Sequence, residues 1–115
     1  MTNQKEKIPK ETILALHDAL ALLSGKWKFC ILNNLLQNKT MRFKDLQEKA
    51  KGISPKVLTK ELQELEDNLF IIRTVNQTKP ITVSYCLTEH ALESLPVLES
   101  LIQFGLTHRN KIKSK

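Results

Sequence analysis

Apolar side chains return every three or four positions in the first part of the chain, at Ile13, Leu16, Leu20 and Leu23, with Leu14, Ala21 and Leu22 widening the stripe. That is the period of a helix with one apolar face, and it predicts order from about Glu11. The stretch before it is mostly polar and carries Lys5, Lys7 and Lys10, so residues 1–10 read as a flexible leader, with Pro9 suited to a helix entrance. Ser24 and Gly25 interrupt the stripe, and Trp27, Ile31, Leu32 and Leu35 resume it in a second helix over about 26–36. After a polar link, residues 41–43 leave room only for a brief extended stretch. Residues 45–50, with Leu46 and Ala50 one turn apart, offer a helix too short to stand without tertiary partners.

The sharpest boundary signal comes next. Gly52 can take a positive φ in a tight break, and Ser54-Pro55 supplies a helix cap followed by a proline at the first helical position, where a missing N–H costs nothing. The helix so started runs to about Asn68, a residue that tolerates the left-handed conformation at a helix end. Two stretches rich in β-branched and aromatic residues, 70–75 and 82–87, flank a loop containing Asn, Thr and Pro, which predicts a hairpin. Thr88 can cap a last helix with apolar positions from Leu92 to Leu106, in which Pro96 predicts a kink or split. Residues 109–115 read as a basic tail.

Helix, helix, short strand, helix, tight turn, helix, hairpin, helix is the element order of a winged helix-turn-helix, a mainly α fold with a small β-hairpin (α+β). One domain over residues 11–108 is expected. Its helix-turn-helix would lie at about 44–68, its wing at about 70–87 and its C-terminal helix at about 88–108. Around the helix that starts at Ser54, Leu58, Leu62 and Leu65 fall within about 60° of one another, while Lys56, Thr59, Lys60 and Gln63 cluster opposite. Such a helix is about 20 Å long and a DNA major groove about 12 Å wide, so its N-terminal half can enter the groove while the rest stays on the body. Lys56 and Lys60 suit phosphates or guanine, Gln63 adenine, and Thr59 a base edge or a thymine methyl. Ser54 and Pro55 stand at the helix N-terminus, where unpaired amides favour a phosphate. Gln77, Thr78 and Lys79 in the hairpin loop are placed to touch backbone or minor groove as a wing. Arg73 has three open roles: supporting the wing, meeting phosphate, or pairing with Glu66 or Asp67.

Charge turns this helix from an ordinary solvated face into a candidate reading surface. The chain of 115 residues has a formal net charge of +6. Residues 26–60 hold nine lysines and arginines, Arg42 and Lys44 among them, against two acids; residues 61–108 hold two cations against seven acids. Concentrating cations on the segment that would face phosphates is what an oriented DNA-binding surface requires. The alternative from another class is a winged helix used as a protein-protein interaction module without direct DNA readout, and the cationic half argues against it.

Several separate motifs resemble the HxlR-type winged helix regulators of bacteria. They are Gly25-Lys26-Trp27-Lys28, Ile31-Leu32, Arg42-Phe43 with Leu46, Gly52-Ile53-Ser54, Leu58-Thr59, Leu62-Gln63-Glu64-Leu65-Glu66, Tyr85 with Leu87-Thr88-Glu89, and Leu95-Pro96-Val97-Leu98. Together they span about residues 14–106. The resemblance implies a cytoplasmic, homodimeric transcription regulator that reads double-stranded DNA with the helix beginning near Ser54 and dimerises through its terminal helices. Oxidant-sensing members often carry a Cys-Pro pair near the start of the first helix, where this chain has Leu14-Ala15. The residues point to a dimer as well: Ile13, Leu16 and Leu20 in the first helix, with Val97, Leu101 and Phe104 in the last, exceed what a core of this size needs. A two-fold dimer would then meet an inverted-repeat operator.

Other chemistries find little footing. Three histidines, no HExxH, no Gly-rich phosphate cradle and no G-x-S-x-G elbow argue against an enzyme, and no cofactor or metal is expected. Cys30, set between Phe29 and Ile31, reads as a buried, inert thiol, and Cys86 as the more accessible one. Two distant cysteines fit a reducing cytosol, and no apolar run reaches the length that crosses a bilayer. No residue pattern identifies a small-molecule effector.

Overall fold

The computed structural model describes residues 7–115. Helices α1 (Lys10–Leu23) and α2 (Lys28–Asn38) lead into a short strand β1 (Thr40–Arg42), then α3 (Phe43–Lys49) and α4 (Pro55–Asp67). The hairpin is β2 (Ile71–Asn76) and β3 (Thr82–Leu87), and α5 (Glu89–Leu92) and α6 (Leu95–Lys113) close the chain. All strands pair antiparallel in the order β1-β3-β2, with Tyr85 of β3 opposite Met41 on one side and Arg73 on the other. Because β1 joins the sheet on the far edge of the hairpin, three residues of strand suffice to clamp the helix-turn-helix to the wing.

One core lies between α2, α3, α4 and the sheet, built from Ile31, Leu35, Leu46, Leu58, Leu62, Leu65, Phe70, Ile71 and Tyr85. Trp27 and Cys30 are half-buried and pack against it. Cys30 is thus less covered than its apolar neighbours suggest, and the Asn34 amide sits 3.5 Å from its sulfur. Gly52 takes the expected positive φ, 91°.

Several boundaries differ from the sequence expectation: α2 is shifted to Lys28–Asn38, α3 starts at Phe43 rather than Asp45, and three further differences have a local cause. At the end of α4, Leu69 and not Asn68 is left-handed, with φ 64°. Phe70 N–H donates to Leu65 O at 2.9 Å and Leu69 N–H to Glu66 O at 3.0 Å, the paired bonds of a Schellman ending, and buried Phe70 and Leu65 supply its apolar contact. That ring fixes which residue turns left-handed, and Asn68 instead uses its side chain to donate to Glu64 O. The last helix splits at Glu93–Ser94, so Pro96 falls in the first turn of α6, where its missing N–H is tolerated. Finally, α6 continues to Lys113, through most of the segment expected as a basic tail. Nothing after Gly105 breaks a helix, and Lys111 and Lys113 complement the negative end of its dipole. At the other end, Lys10 is already helical, and residues 1–6 of the expected leader lie outside the described residues.

Candidate nucleic-acid interface

Three features carry the candidate residues: the outward face of α4, the start of α3 and the loop of the hairpin. Ser54 caps α4 by accepting from Val57 N–H at 3.1 Å. Leu58, Leu62 and Leu65 then lock the inner face, all buried. Lys56, Thr59, Lys60 and Gln63 are exposed on the other side, as are Ser54 and Pro55 at the entrance. Arg42 and Lys44 are exposed at the start of α3, which is fixed by Arg42 N–H donating to Asp45 Oδ2 at 3.3 Å. Gln77, Thr78 and Lys79 are exposed at the hairpin tip, where Thr78 Oγ1 donates to Pro80 O at 2.8 Å. Between α4 and the hairpin runs an open cleft of about 440 Å³ lined by Thr59, Gln63, Glu66, Arg73 and Tyr85, among others. Arg73 is exposed in this cleft beside Glu66, and neither Glu66 nor Asp67 pairs with it within 4 Å among the described residues.

The hydrogen bonds narrow what each outward residue offers. Of the first-turn amides of α4, Pro55 has none and the Val57 N–H is spent on the cap, which leaves Lys56 N–H for an anion. Thr59 donates its hydroxyl to Pro55 O at 2.8 Å. Gln63 donates one of its two amide N–H bonds to Asp67 Oδ1 at 2.9 Å. Lys60 reaches no closer than 4.0 Å to Glu64 Oε2 and keeps most of its side chain in water.

One cation counted toward the positive surface belongs elsewhere. Lys28 is buried, with Nζ 2.7 Å from Glu61 Oε1 and 2.8 Å from Glu64 Oε1 on α4. Burial alone would lower its pKa; the hydrogen bonds to Glu61 and Glu64 and their charges outweigh burial and hold it above the ordinary lysine value. The same contact holds the Glu64 carboxyl below the usual range. Sequence reasoning missed this pairing because residues 33 and 36 positions apart meet only through the fold; the excess of acids in the second half of α4 was the available signal.

Ile13, Leu16, Leu20, Val97, Leu101 and Phe104 are all exposed, and α1 buries no residue at all. His90 is exposed too, its ring edge-on to Phe70 and 3.2 Å from Glu93. No group of three or more metal-ligating side chains occurs among the described residues, and no helix is long and apolar enough to cross a membrane.

Residues 22–113 match the family described as HxlR-like helix-turn-helix. An uncharacterized HTH-type transcriptional regulator of Halalkalibacterium halodurans is 36% identical over 91 residues, covering 79% of this chain and 80% of that protein. Among solved structures, the reduced form of the transcriptional regulator YodB from B. subtilis superposes with a TM-score of 0.72 at 31% identity, covering 78% of this chain and 87% of that one. The redox regulator HypR in its reduced form does so with a TM-score of 0.76 at 26% identity, covering 88% and 99%. The match spans the helix-turn-helix, the wing and the terminal helix in one run, and this chain belongs to the HxlR-like helix-turn-helix family and is a DNA-binding transcription regulator.

Proposed function

We propose that the protein binds an inverted-repeat operator in the cytoplasm as a homodimer, with α4 in the major groove and the hairpin tip beside it. Lys56 and Lys60 meet phosphate or guanine, Thr59 and Gln63 read base edges, and Ser54, Pro55, Arg42 and Lys44 border the backbone. Gln77, Thr78 and Lys79 serve as the wing. In this reading residues 11–108 form the working domain, with α1 and α6 building the dimer through Ile13, Leu16, Leu20, Val97, Leu101 and Phe104.

The observation that carries the reading is the division of α4: three leucines sealed in the core and four groove-compatible side chains left in water on the opposite face. The dimer is supported by the two helices whose apolar stripes the single chain leaves uncovered. Genomic fragments retained by the protein, followed by footprinting, test both parts. The expected footprint has two half-sites about one or more DNA turns apart. A single unsymmetrical footprint, or binding that does not weaken with added salt, overturns the reading.

A further inference from the structure

We propose that Lys28, a buried lysine of α2, is a positioning residue for DNA binding: by holding the Glu64 carboxylate it keeps the Lys60 ammonium available to phosphate. This rests on α4 being the helix that meets DNA. Glu64 faces two cations. Its Oε1 accepts from Lys28 at 2.8 Å, and its Oε2 lies 4.0 Å from Lys60 Nζ. The Lys28 side chain is only 10% exposed and the Lys60 side chain 73%. A short charge-assisted hydrogen bond shielded from water outweighs a longer contact in solvent, so Glu64 is committed to Lys28 and its hold on Lys60 is weak. Glu61, three residues earlier on the same helix, is satisfied by the same ammonium at 2.7 Å.

Removing the charge at Lys28 inverts this balance. Two carboxylates one turn apart are left facing each other, and Lys60, four residues before Glu64 in sequence, is the cation within reach of it. Glu64 then closes on Lys60, and a phosphate has to displace it. Lys28 therefore acts on DNA affinity through Glu64, from a position that offers no ammonium to the surface.

The test is the slope of log affinity against log salt for a random-sequence duplex, measured by fluorescence anisotropy. Lys28→Met is expected to make the slope shallower by about 0.9, the equivalent of one phosphate contact. Lys28→Met/Glu64→Gln restores the wild-type slope, and Lys28→Arg retains it. Lost packing alone lowers the melting temperature and the active fraction without changing the slope. A wild-type slope in Lys28→Met, or a double variant as shallow as the single, overturns the proposal. If Lys28→Met does not fold, Lys28→Met/Glu61→Gln carries the same test, since it removes one of the two uncompensated acids and leaves Glu64 free to take Lys60. Lys60→Ala separates the two readings. An unchanged slope there refutes the role given to Lys28, and unchanged slopes in both Lys60→Ala and Lys56→Ala refute α4 as the helix that meets phosphate, whereas a shallower slope in Lys60→Ala with none in Lys28→Met refutes only the role of Lys28.

Discussion

The leucines of α4 and those of α1 and α6 recur at the same helical spacing and meet opposite fates. Leu58, Leu62 and Leu65 are at most 3% exposed, whereas Leu16, Leu20 and Leu101 each keep about half their surface in water and Phe104 keeps 70%. The difference lies in what stands opposite. Helix α4 packs on α2, α3 and the sheet, while α1 meets the core only through Leu22 and Leu23 at its C-terminal end and α6 buries only Leu98. An apolar stripe states that a face will be covered. It does not state whether the same chain or a second copy covers it.

The largest expected effect tests the covered side. Leu58→Ala leaves a cavity at a fully buried position and is expected to cost about 3 kcal/mol of stability, measured by urea denaturation. The counterpart on the uncovered side is Leu101→Asp. It should leave the fold intact by circular dichroism and shift the sedimenting species toward the 13.2 kDa single chain; a fold that collapses instead would show that Leu101 serves the chain's own core. A third variant sharpens the contrast within α4 itself. Gln63→Ala, on the exposed face, is expected to leave stability within about 0.5 kcal/mol and to change preference at one base position by about 1 to 3 kcal/mol in competition binding.

The Lys28 cluster joins the two faces of α4, and its contribution to stability depends on pH with a definite sign. The Glu64 carboxyl is held down by Lys28, so its share is present above about pH 4.3 and is lost as pH falls through the lowered value. The Lys28 ammonium is held up, so its share is present below about pH 10.4 and is lost as pH rises through the raised value. The melting-temperature gap between wild type and Lys28→Met should stay constant between these limits and narrow beyond both. A gap that widens toward acid contradicts the assignment. The smallest effect is at the end of α4, where Leu69→Gly should raise stability by about 0.5 to 1 kcal/mol, because glycine takes the left-handed conformation without a Cβ penalty.

Local chemistry was enough to read much of this molecule from its sequence. Ser54-Pro55 caps and starts α4 through contacts within one turn, Gly52 permits the break before it, and the projection of Leu58, Leu62 and Leu65 follows from helical geometry alone. The outward set Lys56, Thr59, Lys60 and Gln63 came from the same projection. Where the sequence misled, a distant or competing contact decided. Leu69 turns left-handed because the Schellman ring with Leu65 and Phe70 selects it over Asn68. Charge could be counted along the chain but not located: Lys28 entered that count as a surface cation, and only tertiary packing sets it beneath α4 against Glu61 and Glu64. Helix periodicity depends on neighbours three and four residues away and is therefore written in the sequence. The pairing of charges more than thirty residues apart depends on how the helices cross, and only the folded chain fixes that.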